Sequence, residues 1–216
     1  MKYKVMIVED QTMPRELFEL RIQSSEHFET VLSIDNASLA EVYCLRFPVD
    51  LILMDVITRN GENGLDAAAR IKRAFPQIKI IIVTSMPECS YLGRAREIGV
   101  ESFWYKEEQR ESLLDVMERT MAGESVYPDA TPELQLGLAS SYEFTERELE
   151  VLREMTGGDT NSEIARRLHL SVATVKTHIL NMLAKTGFRN RTELAVRARE
   201  SGLVILNRKS ENHWKE

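Results

Sequence analysis

Between Asp50 and Asp55 the chain places four apolar residues in a row, Leu51-Ile52-Leu53-Met54. An alternating pattern would mark a strand with one wet face. An unbroken run marks a strand buried on both faces, as in a parallel sheet covered by helices. The aspartate closing such a strand then lies at the carboxyl rim of the sheet, where open α/β folds place their chemistry. The flanking sequence fits this frame. Lys4–Val8 predicts a strand ending in Glu9-Asp10, and Thr30–Ile34, Ile78–Val83 and Glu101–Tyr105 predict three more. Helices are expected from about Pro14, with Leu17 and Leu20 at helical spacing, and over Ser38–Phe47, with Leu39, Val42, Tyr43 and Phe47 on one stripe. Further helices are expected over Leu65–Phe75, Glu88–Ile98 (closed by Gly99) and Gln109–Met121. Five β–α units in strict alternation imply an α/β doubly wound, five-stranded parallel sheet over residues 1–121.

That topology would gather Glu9, Asp10, Asp55, Thr84, Ser85 and Lys106 at one rim. Three neighbouring carboxylates raise one another's pKa unless a cation intervenes. Glu9, Asp10 and Asp55 therefore point to a hard divalent ion with oxygen ligands, Mg²⁺. Lys106 is the natural point charge for a phosphoryl oxygen, and Thr84 a hydroxyl donor to the same group. Together these are the parts for forming an aspartyl phosphate on Asp55.

Residues 122–143, with Gly123, Pro128, Pro132 and Gly137 and no sustained period, read as a connection. From 144 to 206 the pattern is all-α, with four helices, and 207–216 is a tail. Thr145-Glu146-Arg147-Glu148 and Thr160-Asn161-Ser162-Glu163 are capping boxes, and Ser171 caps a third helix after a tight turn at His169-Leu170. That helix carries an inward stripe of Val175, Ile179, Met182 and Leu183, and with its predecessor forms a helix-turn-helix. Charge separates the halves. Residues 1–141 hold 15 Lys+Arg against 23 Asp+Glu, residues 142–216 hold 13 against 11, and 160–191 hold six against Glu163 alone. A local basic patch on an acidic chain suits a nucleic-acid-binding unit. No apolar run approaches the length of a membrane span, and Cys44 and Cys89 form neither a disulfide nor a zinc pattern. A cytoplasmic protein with no membrane partner is expected.

The spacing of Asp10, Asp55, Thr84 and Lys106, with Glu9 beside the first, resembles the receiver domains of two-component response regulators. The joint pattern Thr145–Glu148, Asn161–Ala165, Leu170-Ser171, Thr174–His178, Asn181 and Asn190–Ala195 is similar to LuxR-type DNA-binding domains, the NarL/FixJ-type combination. The resemblance implies a DNA-binding transcriptional regulator, not an enzyme, switched when a sensor histidine kinase phosphorylates Asp55. It implies Mg²⁺ held by Asp10, Glu9, Asp55 and the carbonyl of Ile57. It implies that Phe103 changes rotamer when Thr84 engages phosphate; the alternative for Phe103 is plain core packing. The helix after Ser171 is expected in the DNA major groove, with Lys176, Thr177 and Leu180 toward the bases and Thr160, Lys185 and Arg189 toward phosphates. A homodimer on DNA through the last helix is implied, with RNA polymerase a further candidate partner. Three departures stand out: Thr58–Gly64 lacks the family's Met-Pro, Gly64 stands nine residues after Asp55 where the family has glycine at eight, and Glu107 replaces a proline. They open a second reading, a DNA-binding regulator whose receiver works without phosphorylation. A third, an aspartyl-phosphate-forming phosphatase or phosphotransferase, lacks any evident general acid near Asp55.

Overall fold

The computed structural model describes residues 2–59, 62–85, 87, 90–106 and 111–204, with the backbone alone for Glu62 and Ser90. Asn60, Gly61, Glu107, the expected helix starts at Glu88 and Gln109, and the tail beyond Val204 lie outside the described residues. The chain divides into two units, Met1–Thr131 and Pro132–Glu216.

In the first unit, Leu51–Asp55 forms β3 at the centre of a five-stranded sheet, and all five of its residues are buried. Around it run β1 (Tyr3–Val8), β2 (Phe28–Ile34), β6 (Lys79–Thr84) and β7 (Ser102–Tyr105), in the order β2-β1-β3-β6-β7 with parallel pairing throughout. The order reverses between β1 and β3, and a sheet of this kind opens its crevice at that reversal. One face packs Val5, Ile7, Leu51, Leu53, Ile81 and Val83 against Phe18 and Ile22 of α1 (Thr12–Gln23) and Leu113, Val116 and Met117 of α5 (Leu113–Met121). The other face carries α2 (Ala40–Cys44), α3 (Gly64–Ala74) and α4 (Ser90–Ile98).

Two helical faces differ from the expected ones. In α1 the buried residues are Phe18 and Ile22, while Leu17 and Leu20 face solvent. The expected helix over Ser38–Phe47 is a 3-10 turn at Ala37–Leu39 followed by five α-helical residues, and it buries Ala37, Ala40 and Cys44 while exposing Leu39, Val42 and Phe47. Small side chains let this short element approach α3, so spacing in that segment is set by size and not by hydrophobicity.

The stretch 58–64, expected as a polar loop, contains a small antiparallel ladder. β4 (Ile57–Thr58) pairs with β5 (Glu62–Asn63), and the Gly64 N–H donates to the Val56 carbonyl at 2.8 Å. Asn63 then caps α3 by accepting from the amides of Leu65 and Asp66. Past α5 the exit segment lies along β7. The Phe103 amide donates to the Val126 carbonyl at 2.8 Å, and the Val126 amide to the Ser102 hydroxyl at 3.1 Å.

The second unit begins with a hairpin, β8 (Gln135–Leu136) and β9 (Ala139–Ser140), inside the stretch expected as a connection. Leu136 and Ala139 join its core. Among the described residues four α-helices follow: α6 (Glu146–Thr156), α7 (Asn161–Arg167), α8 (Val172–Thr186) and α9 (Arg191–Glu200). Both capping boxes close as the sequence implies, and the Ser171 hydroxyl accepts from the Thr174 amide. Between α7 and α8 the chain turns through His169 at φ +54°, a left-handed conformation that histidine tolerates better than most residues. Val175, Ile179 and Met182 are buried against Leu149, Leu152, Ile164 and Leu194.

Candidate functional site: an acidic rim and a recognition helix

At the carboxyl ends of β1, β3 and β6 the strand register converges four of the sequence's candidates. Val8 pairs with Met54 and Asp55 with Val83, which sets Glu9, Asp55 and Thr84 at the ends of adjacent strands. The Lys106 amide donates to the Thr84 carbonyl at 2.9 Å, bringing the lysine to the same rim. Its ammonium bridges two carboxylates, Glu9 Oε2 at 2.5 Å and Asp55 Oδ2 at 2.9 Å. Asp55 Oδ1 accepts from the Val56 amide at 2.7 Å, and Glu9 Oε1 from the Gln11 amide at 3.0 Å. Arg15 reaches the Glu9 carbonyl, a contact with no sequence signal.

Burial pushes the Asp55 carboxyl up, the Lys106 ammonium pulls it down and the Glu9 charge adds upward, leaving it at about 7. For Lys106 burial alone would favour the neutral amine, but the charges of Asp55 and Glu9 outweigh it and hold the ammonium above the usual lysine range. Asp10 is half-buried beside them, and one oxygen from each of Glu9, Asp10 and Asp55 falls within 4.8 Å of the others. Oxygens sharing one Mg²⁺ sit roughly 3–4 Å apart at the usual ligand distances, so this hard-donor set fits such an ion with little adjustment. Ile57 begins β4 directly beyond Val56.

Gly64 completes the rim. A Cβ there would lie 1.9 Å from the Asp55 carbonyl oxygen, so only glycine lets α3 start against the end of β3. The β4–β5 ladder leads directly into this approach, with Asn63 closing β5 and Gly64 opening α3.

Thr84 is buried and pairs across the ladder with Tyr105, while Phe103 pairs with Ile82 on the same face. The Phe103 ring lies 5.0 Å from that of Tyr105 and 6.3 Å from that of Tyr127, with Arg96 of α4 stacked over Tyr127 at 4.7 Å.

The nucleic-acid candidates fall in the second unit, in two groups. Lys176, Thr177 and Leu180 are exposed along α8, and Arg189 is exposed before α9. Thr160 is exposed as the N-cap of α7, its hydroxyl bonded to Glu163. Lys185 is placed differently. Its ammonium donates to the buried Glu148 carboxylate and to the Glu143 carbonyl, both at 2.7 Å, so it closes the core where a phosphate contact was expected. Arg167 pairs with Glu154 and Asp159, and Arg191 donates to the Asp159 carbonyl at 2.7 Å and to Asn161 Oδ1 at 2.9 Å. Among the basic residues counted over 160–191, Arg166, Lys176 and Arg189 thus remain outward, a narrower patch than charge alone suggests.

Known proteins agree with this division. Residues 5–118 match the response regulator receiver domain, and residues 143–198 match the bacterial regulatory proteins of the luxR family. The response regulator protein VraR of Staphylococcus epidermidis is 32% identical over 209 residues, covering 94% of this chain and all of the relative, and VraR of Staphylococcus aureus matches equally. Among solved structures, RcsB from Salmonella enterica serovar Typhimurium bound to a promoter superposes with a TM-score of 0.61 at 20% identity, over 94% of this chain and 100% of that one. Two RcsB dimers bound to two parallel DNAs give 0.61 at 18% identity, over 92% and 98%. These structures share the fold. With the two family matches and the full-length relatives, they identify the chain as a two-component response regulator of the NarL/FixJ type, a receiver domain joined to a LuxR-type DNA-binding domain.

Proposed function

We propose that Asp55 is the phosphoacceptor and that its phosphorylation by a sensor histidine kinase controls DNA binding by the second unit. The observation that carries this reading is the Lys106 ammonium bridging Glu9 and Asp55 at the end of the central strand. An Asp55 oxygen attacks the phosphorus of a phosphohistidine and the P–N bond breaks with its electron pair passing to that ring nitrogen, so a phosphohistidine protonated on its other ring nitrogen releases a neutral imidazole. Lys106 faces the incoming phosphoryl oxygens, and the Thr84 hydroxyl donates to one of them. Mg²⁺ held by Asp10, Asp55 and the Ile57 carbonyl, with Glu9 through water, would neutralise charge on the phosphoryl group. Phe103 is the switch aromatic, its ring against those of Tyr105 and Tyr127.

On the DNA side we assign Lys176, Thr177 and Leu180 to the major groove, and Arg189 and the N-terminus of α7 at Thr160 to the backbone. Lys185 is given a role in the fold. A homodimer through α9 is supported by Val196, exposed in the middle of an otherwise polar helix face. We read the protein as a regulator and not an enzyme, acting in the cytoplasm, where the buried free thiol of Cys44 would stay reduced. Phosphorylation can act only by biasing an existing two-state equilibrium, each 1.4 kcal/mol of bias being about tenfold in population. The test is Mg²⁺-dependent labelling by a small phosphodonor, lost in Asp55→Asn. Labelling that survives overturns the acceptor assignment. Equal operator affinity with and without a phosphate mimic would favour a receiver that works without phosphorylation.

A further inference from the structure

A major-groove helix reads bases in two ways, by hydrogen-bonding polar groups to base edges and by apolar contact with the C5-methyl of thymine. The outward surface of α8 is short of the first kind. Ala173, Thr177, Leu180 and Ala184, spaced four, three and four residues apart, follow one another along the side opposite Val175, Ile179 and Met182, and all four are exposed. Leu180 stands 65% exposed in their midst. The Thr177 hydroxyl already donates to the Ala173 carbonyl of its own helix at 3.1 Å, so toward DNA it keeps acceptor capacity alone, with its methyl beside it. Lys185 is held by Glu148 and Glu143. Polar side chains flank the row, Lys176 on one edge and Asn181 on the other, both exposed.

We propose that this row of methyl-bearing side chains, centred on Leu180, specifies the half-site by contact with thymine methyl groups. Lys176 supplies the charged contact from α8, to a guanine edge or a phosphate. The inference rests on α8 lying in the major groove, and it adds which chemical feature of the DNA is read. It predicts A·T pairs in the core of each half-site, oriented so that the thymine methyl meets Leu180.

The experiment selects binding sites from a randomised duplex pool with the full-length protein. It then replaces each selected thymine by deoxyuridine, which removes the methyl and leaves every hydrogen-bonding group in place. Affinity is expected to fall about fourfold for each methyl lost beneath the row, the worth of one buried carbon, and to stay unchanged elsewhere. Leu180→Ala should weaken binding to the thymine duplex and lose the sensitivity to deoxyuridine. Leu180→Gln, an exposed change with little bearing on folding, should move the selected base toward adenine. An enriched site whose affinity ignores deoxyuridine at every position overturns the inference while leaving α8 in the groove. Failure to enrich any duplex overturns the groove placement as well. If Leu180→Gln abolishes self-association in sedimentation and leaves the selected site unchanged, the row is a contact between copies, and methyl readout is wrong.

Discussion

Replacing Gly64 by alanine tests whether β3 and α3 meet without room for a side chain. The added carbon would stand 1.9 Å from the Asp55 carbonyl oxygen, 2.9 Å from its carbon and 3.0 Å from Met54 Cγ, against ordinary contact at 3.4 Å or more. Relief requires a separation of about 1.5 Å between two stretches of backbone, neither of which can swing aside as a side chain would. Overpacking of this kind costs about 1–3 kcal/mol. The same movement stretches the Gly64 to Val56 hydrogen bond, adding about 1 kcal/mol. The expected loss is about 2–4 kcal/mol. Gly93 is the control, because it lies within α4 and a Cβ there meets nothing within 4 Å. Gly93→Ala should stabilise by about 0.5–1 kcal/mol through helix propensity alone. Urea unfolding of residues 1–131, compared at constant slope, measures both. Gly64→Ala within about 0.5 kcal/mol of the parent would refute the steric argument.

Other outcomes follow from the same geometry. With Asp55 raised from 3.8 to about 7 in the folded state, the folded unit binds more protons than the unfolded chain between those values. In metal-free buffer its stability should therefore fall as pH rises through that window, and Asp55→Asn should flatten the dependence; parallel slopes for the two proteins would contradict it. Removing Lys106 as methionine leaves two buried carboxylates without their cation, an expected loss of about 3–5 kcal/mol at neutral pH that shrinks on acidification, read by denaturation at pH 5 and pH 7.5. Burial opposes ionisation of Glu148, but the bonds from Lys185 and the Thr145 amide outweigh it and hold the carboxyl below its ordinary range. The contribution of Glu148 to the helical unit is therefore present at neutral pH and lost as pH falls through that lowered value. Lys185→Ala should destabilise that unit while leaving the salt dependence of DNA binding unchanged, whereas Lys176→Ala should reduce the slope of log affinity against log salt by about 0.9 if it touches a phosphate.

The unbroken apolar run at 51–54 disclosed the sheet because burial on both faces leaves no room for polar alternation, and the capping boxes disclosed α6 and α7 because their hydrogen bonds are local. The rim was legible for a similar reason: alternation of strand and helix brings strand ends together whatever the loops do. Where packing depended on size, the reading failed. Ala37, Ala40 and Cys44 take the interior while Leu39, Val42 and Phe47 stay exposed, in an element that packs against α3 through its small side chains. The bond from Lys185 to Glu148 had no sequence signal, because the two lie 37 residues apart along the chain and meet only in the folded unit. The ladder of β4 and β5 was equally hidden, since two-residue strands carry no periodicity.

The exit segment along β7 has a bearing on solubility. β7 forms one margin of the sheet, and margins with free amides and carbonyls are templates on which foreign strands can add. Here the chain's own continuation occupies part of that margin: Val126 takes the Phe103 amide, Ser102 takes the Val126 amide, and the Ser125 hydroxyl holds the Glu101 carbonyl. An intruding strand would first have to peel these bonds away. The receiver therefore carries a built-in guard against edge-to-edge sheet growth, drawn from residues whose other task is to lead the polypeptide out of the domain.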